Sequence, residues 1–139
     1  MAALAPFHVA FPVDDLEAAR RFYGGVLGCP EGRSAERWVD FDLFGHQLVV
    51  HAVASAGAAG ANPVDGDEVP VPHFGVVLTV PDFHALAARL KAAAVPFGIE
   101  PRVRFQGQPG EQWTMFVRDP AGNALEFKAF ADLASLFAR

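Results

Sequence analysis

Cationic side chains are scarce in this chain, and cysteine is scarcer still. Eleven Lys and Arg stand against sixteen Asp and Glu, for a formal net charge of −5 at pH 7. That balance argues against a nucleic-acid partner, whose phosphates call for a basic face. With Cys29 alone there is no intramolecular disulfide to form, which fits a reducing cytoplasm. A small side chain beside a turn reads as packing rather than as a reactive thiol. No run of about 18 apolar residues occurs, so no helix is expected to span a membrane. The opening residues, Met-Ala-Ala-Leu-Ala-Pro, have no basic stretch ahead of an apolar one, so no secretory signal is expected.

What is abundant is apolar mass. Of the 139 residues 52% are hydrophobic, and thirteen are Phe. That is ample for the core of one compact unit, or of two small halves sharing an interior. Residues 7–13 read as a strand. Asp14-Asp15 then offers an N-cap, and Leu16, Ala19, Phe22, Tyr23, Val26 and Leu27 recur at helical spacing until Gly28 stops the helix. Residues 37–43 and 46–53 read as strands joined at Phe44-Gly45, with a weaker strand before Trp38. Residues 54–72 are rich in Ala, Gly, Pro, Asn and Asp without periodicity, and read as a linker. A second half starts with a strand from residue 73 through Val80. Pro81-Asp82 opens a helix carrying Phe83, Leu86, Leu90 and Ala94, and Pro96 ends it. Strands follow near 98–105, 112–118 and 123–130, the last two joined by the turn Asp119-Pro120-Ala121-Gly122-Asn123. The tail has Leu133, Leu136 and Phe137 on one face of a short helical turn.

Each half therefore reads β-α-β-β-β, and the repeat carries ligand-type residues. His8 opens the first strand of one half and His73 that of the other. Trp38 is followed by Phe41 and, thirteen positions on, by His51. Trp113 is followed by Phe116 and, thirteen positions on, by Glu126. The two histidines are 65 residues apart and the two tryptophans 75, so the second half holds about ten extra residues, placed in the Gly-, Gln- and Pro-rich stretch 103–112. If the halves pack face to face, His8, His51, His73 and Glu126 converge. Imidazole and carboxylate together suit divalent iron, manganese, zinc, nickel or cobalt, and two His with one carboxylate leave open positions for substrate and oxygen. Strand alternation puts Ala124, Glu126 and Lys128 on one face, and Val49, His51 and Val53 on one face of theirs.

The first-strand histidine, the helix Asp14-Asp15-Leu16-Glu17-Ala18-Ala19-Arg20-Arg21-Phe22-Tyr23, its stop Val26-Leu27-Gly28, the second histidine and Asp119-Pro120-Ala121-Gly122-Asn123-Ala124-Leu125-Glu126 together resemble the vicinal oxygen chelate superfamily. That group includes glyoxalase I, bleomycin-resistance proteins and extradiol dioxygenases. The resemblance covers nearly the whole chain, most specifically in its last segment. It implies an α+β fold of paired β-α-β-β-β modules forming a curled mixed sheet around a central cleft. The chain would be a single such domain at 1–139: module one about 5–53, linker 54–72, module two about 73–130, tail 131–139. It implies metal ligands on the first, fourth, fifth and eighth strands, which His8, His51, His73 and Glu126 match.

His51 stands where glyoxalase I proteins usually place a Glu. A neutral imidazole changes the site charge by one unit and offers a general acid or base near neutrality. His8, His73 and Glu126 satisfy the two-His, one-Glu set of the dioxygenases without it. The favoured expectation is thus an iron(II) enzyme of dioxygenase type on a small substrate, with His51 and Glu126 as catalytic groups. The alternatives are a glyoxalase I-like lyase or isomerase, and a metal-free binding protein of the bleomycin-resistance kind. Trp38, Arg104, Trp113 and Lys128 are candidate substrate contacts, the two tryptophans reading equally well as core or as pocket wall, with Arg37 and Gln112 behind them. His46 reads as a turn residue, His84 as solvated and Tyr23 as packing. The apolar tail and abundant Phe permit a homodimer.

Overall fold

The computed structural model describes residues 4–55 and 60–138. Met1–Gly57 and Ala58–Arg139 form two compact units with one topology.

In the first unit, β1 (His8–Val13) leads into α1 (Leu16–Ala19), which continues as a π-helical segment over Arg20–Val26. Asp15 caps the start by accepting from the Ala18 amide at 3.1 Å. The apolar spacing predicts an α-helix to Leu27. Instead the Leu27 amide bonds the Phe22 carbonyl, five residues back, across the weak helix formers Gly24 and Gly25. The widened turn seats both Phe22 and Tyr23 in the core, and Tyr23 is packed among Phe11, Phe22 and Phe41 at ring separations of 5.7, 5.0 and 5.5 Å. Three strands follow: β2 (Glu31–Ala35), β3 (Trp38–Leu43) and β4 (His46–Ala52). Phe44 and Gly45 turn the β3–β4 hairpin with φ of 51° and 88°, the pair of positive values that a two-residue type I′ turn requires. The sheet order is β1-β4-β3-β2, with β1 and β4 parallel and the other pairs antiparallel.

The second unit begins with a hairpin in the stretch 54–72, where composition predicts a linker. Gly60–Val64 (β5) and Asp67–Val71 (β6) are an antiparallel hairpin, turned by Asp65 and Gly66 at φ 44° and 85°. Asp-Gly is a strong type I′ signal, but the flanking residues are too short and too poor in alternation to announce strands. Then come β7 (His73–Leu78), α2 (Val80–Ala92), β8 (Phe97–Arg104), β9 (Gln112–Arg118), β10 (Ala124–Ala129) and a 3₁₀ turn over Leu133–Phe137. Thr79 caps α2 by accepting from the Asp82 amide, with Pro81 in the first turn where its missing N–H costs nothing. The sheet order β7-β10-β9-β8 repeats that of the first unit, again with one parallel pair. The chain is thus α+β, built from two β-α-β-β-β modules on mixed sheets.

Alternation sorts each sheet into two faces. Under the first helix lie Phe11, Val13, Val39, Phe41, Leu43, Leu48 and Val50, all buried. The other face carries His8, Gln47, His51, Trp38 and Asp40. In the second unit Leu78, Met115, Val117, Leu125, Phe127 and Ala129 line the face that packs on Phe83, Leu86 and Leu90 of α2. Burying each large side chain contributes roughly 1.5–3 kcal/mol, so these helix faces fix which way the sheet's other face looks. No helix among the described residues is long and apolar enough to cross a membrane.

Candidate metal centre

The second unit brings two of the expected ligands together. His73 lies opposite Ala124, and Glu126 lies opposite Gly75, so the two stand diagonally on adjacent parallel strands. Their side chains meet, with His73 Nε2 3.2 Å from Glu126 Oε1. His73 Nδ1 is 2.6 Å from the Pro70 carbonyl. A carbonyl only accepts, so Nδ1 carries a proton, and in the neutral form of the ring Nε2 is the lone pair turned to Glu126. Glu126 is buried, and its other oxygen is already engaged. Thr114 Oγ1 donates to Oε2 at 2.5 Å, and Arg104 Nη1 is 3.6 Å from the same atom. Oε1 is turned to the imidazole. Two acceptors at 3.2 Å repel unless a positive charge lies between or on them, either a metal cation or a proton on Nε2. The donor set fits a divalent ion.

Thr114 carries no signal of this role in the sequence. Nothing in the pattern of β9 distinguishes it, and only the β9–β10 register, with Thr114 opposite Lys128, brings it beside Glu126. Arg104 is almost wholly buried. Its Nη2 donates to Asp67 Oδ2 at 3.0 Å, and Arg102 Nη1 reaches the same oxygen at 2.9 Å. The β5–β6 hairpin thus supplies the carboxylate that balances a buried guanidinium. Arg104 Nε and Gln112 Oε1, on paired residues, are buried without a hydrogen-bond partner among the described residues. Lys128 shares the Glu126 face and is half-buried.

In the first unit His8 is exposed, with Nδ1 2.8 Å from Gln47 Oε1. His51 is not its neighbour. It lies opposite Pro12 on β1, four residues beyond His8, which at about 3.3 Å per residue is roughly 13 Å along the strands. Two imidazoles rising from a sheet at that spacing do not share one ion, so the expected pairing of His8 with His51 is not met in this unit. His51 instead faces Trp38 directly across β3–β4. Among the described residues no group of three or more His, Cys, Asp and Glu gathers at ligand distance.

Of the two roles open to Trp113, core or pocket wall, it takes the first. It lies opposite Ala129 on the helix face and packs on Phe83 and His84, at ring separations of 6.0 and 4.7 Å. It is a core wall under α2 and does not stand on the Glu126 face. Phe116 is the residue opposite Glu126, and its ring lies 5.0 Å from that of His73. His46 ends the β3–β4 turn and accepts the Phe7 amide through Nδ1 at 2.8 Å. Arg37 is tied to the Ala52 carbonyl. A cavity of about 390 Å³ opens in the first unit, walled in part by Pro6, Gly32, Asp40, Asp42, His46 and Gln47.

No curated protein matches the chain. Solved structures do. A glyoxalase/bleomycin resistance protein/dioxygenase from Alicyclobacillus acidocaldarius is 32% identical, with a TM-score of 0.82 and 96% of each chain covered. Two more distant structures share the fold. Lactoylglutathione lyase from Agrobacterium tumefaciens is 24% identical, with a TM-score of 0.66 over 94% of this chain and 97% of that one. The fosfomycin resistance protein FosX from Listeria monocytogenes is 18% identical, with a TM-score of 0.68 over 99% of both. The sequence profile of the glyoxalase/bleomycin resistance protein/dioxygenase superfamily matches residues 6–127, and the chain belongs to that superfamily.

Proposed function

We propose that the protein is a divalent-metal enzyme of dioxygenase type, acting on a small substrate through two neighbouring oxygens. The observation that carries the reading is the His73–Glu126 pair, with Nε2 and Oε1 3.2 Å apart, Nδ1 held by the Pro70 carbonyl and Oε2 by Thr114. The proposed ligands are His8, His73 and Glu126, a set that suits iron(II) first and manganese, zinc, nickel or cobalt after it. A bound ion of this kind supplies Lewis-acid polarisation of the substrate oxygens and, as iron(II), reactivity toward dioxygen.

The chain's own residues do the rest. Thr114 and Arg104 hold Oε2, leaving one carboxylate oxygen to point outward. Arg104 Nε, buried and unpartnered, is the donor that a substrate oxygen would satisfy. Lys128 adds a cation on the same face. His51, off the ligand set and opposite Trp38, is left to hold or move a substrate proton while the indole forms a wall. Members of the superfamily typically bind small molecules and are often dimeric, and we place this chain among them as a homodimer.

Metal analysis of protein purified without chelators or a metal-binding tag tests the reading. About one ion per site in the wild type, lost in both Glu126→Ala and His73→Ala, is the expected result, and iron with oxygen consumption would fix the reaction class. Zinc or nickel with isomerase or lyase turnover would replace the dioxygenase assignment with the glyoxalase one. No ion, and none taken up on reconstitution, would leave His73 and Glu126 as an imidazolium–carboxylate pair and return the protein to the metal-free binders.

A further inference from the structure

We propose that Gln47, itself held by Asp40, is a positioning residue that fixes His8 in its Nδ1–H tautomer and so presents Nε2 as a ligand. The proposal rests on the reading of His8 as a metal ligand.

Hydrogen-bond polarity along the three side chains fixes the tautomer. Gln47 Nε2 lies 3.2 Å from Asp40 Oδ2, and Gln47 Oε1 lies 2.8 Å from His8 Nδ1. A carboxylate only accepts, so the amide end that faces Asp40 is the NH2 group. The other end, the amide oxygen, also only accepts, so His8 Nδ1 must donate. A neutral imidazole has one N–H, and Nε2 is left bare. Reversing any bond in this chain of three residues puts two acceptors or two donors together.

The sheet builds the relay directly. Gln47 is the residue opposite His8 in the parallel β1–β4 ladder. Asp40 comes from β3 on the same face and is buried, 8% exposed. Its room depends on Gly32 of β2, where an added Cβ would come within 3.3 Å of Asp40 Cβ. The second unit reaches the same tautomer by another route, with the Pro70 carbonyl holding His73 Nδ1. The two strand-opening histidines thus share one protonation pattern while their partners are unrelated. Groups that orient a ligating histidine in this way typically change metal affinity by roughly 10–100-fold when removed.

The test is the tautomer of His8 in metal-free protein labelled with 15N-histidine, read by long-range 1H–15N correlation at about pH 8, where a free imidazole is neutral. The wild type should show His8 as Nδ1–H. Gln47→Leu should move it to the Nε2–H form that an unrestrained ring prefers, and lower cobalt affinity by about tenfold. Asp40→Asn should give a mixture, because an asparagine no longer dictates which way the Gln47 amide turns. His73 should stay Nδ1–H in all three proteins, which separates loss of the relay from loss of the fold. His8 in the Nε2–H form in the wild type, no change in Gln47→Leu, or a tautomer shift with cobalt affinity unaltered would each overturn the proposal. A wild type with the locked tautomer that takes up no cobalt would support the relay and sink the metal reading.

Discussion

Gly75 stands directly opposite Glu126 in the parallel ladder of β7 and β10, and a Cβ on Gly75 would run into the Glu126 carbonyl. The close approach is backbone against backbone, so no flexible side chain can yield. Gly75→Ala should therefore force the two strands apart and destabilise the unit by roughly 1–3 kcal/mol, as overpacking does. Thermal unfolding measures it. A midpoint equal to that of the wild type would mean that the ladder accommodates the methyl group and that the two strands are less closely set.

Thr114 and Glu126 give a second prediction. Thr114→Val keeps the shape of the side chain but removes the donor to Oε2, leaving a buried carboxylate oxygen with only the more distant Arg104. Stability should fall by about 1–3 kcal/mol. If Glu126 is a ligand, cobalt affinity should fall by at least about tenfold. Chemical denaturation and a cobalt titration measure the two effects separately.

Ligand linkage gives a third. A cation bound only by the folded protein stabilises it, by about 2.7 kcal/mol at a free concentration 100 times its dissociation constant. Adding the cognate ion should therefore raise the unfolding midpoint of the wild type, and a chelator should reverse the rise. Glu126→Ala should show neither shift. An equal rise in the variant would assign the stabilisation to ions bound elsewhere.

The fourth prediction separates the two histidines of the first unit. His8→Ala should reduce metal affinity beyond the roughly 10–100-fold typical of groups that merely orient a ligand. His51→Ala should leave metal content unchanged, because His51 stands four residues along from His8, opposite Pro12. Metal loss in His51→Ala, matching that in His8→Ala, would restore His51 to the ligand set.

The hairpin supplies the fifth. Asp67 on β6 is the shared partner of Arg102 and Arg104, and Arg104 is buried. Asp67→Ala strips a buried guanidinium of its nearest carboxylate, at a cost of up to about 3 kcal/mol. Amide hydrogen exchange should show β5 and β6 opening first. Unchanged protection there would mean that the strand pairing, rather than the ion pairs, holds the hairpin.

The sequence by itself determined most of the elements, the β5–β6 hairpin and the π-helical turn excepted, and the residue types they carry. Two β-α-β-β-β units, their helix faces, the Phe44-Gly45 turn, and histidines opening β1 and β7 all follow from period, capping and turn residues that act over a few positions. The tertiary structure decided the register. The β3–β4 hairpin closes through two residues, Phe44 and Gly45, while the β9–β10 hairpin needs the five from Asp119 to Asn123, organised by the Asp119 carboxylate. That difference of three slides the thirteen-residue spacing out of step. His51 faces Trp38, but Glu126 faces Phe116, and the odd offset turns Trp113 to the other side of its sheet. The partners of the proposed ligands, Thr114 for Glu126, Pro70 for His73, and Gln47 with Asp40 for His8, lie on neighbouring strands or turns. A hydrogen bond between strands depends on which residues stand side by side, and periodicity along one strand carries no record of that.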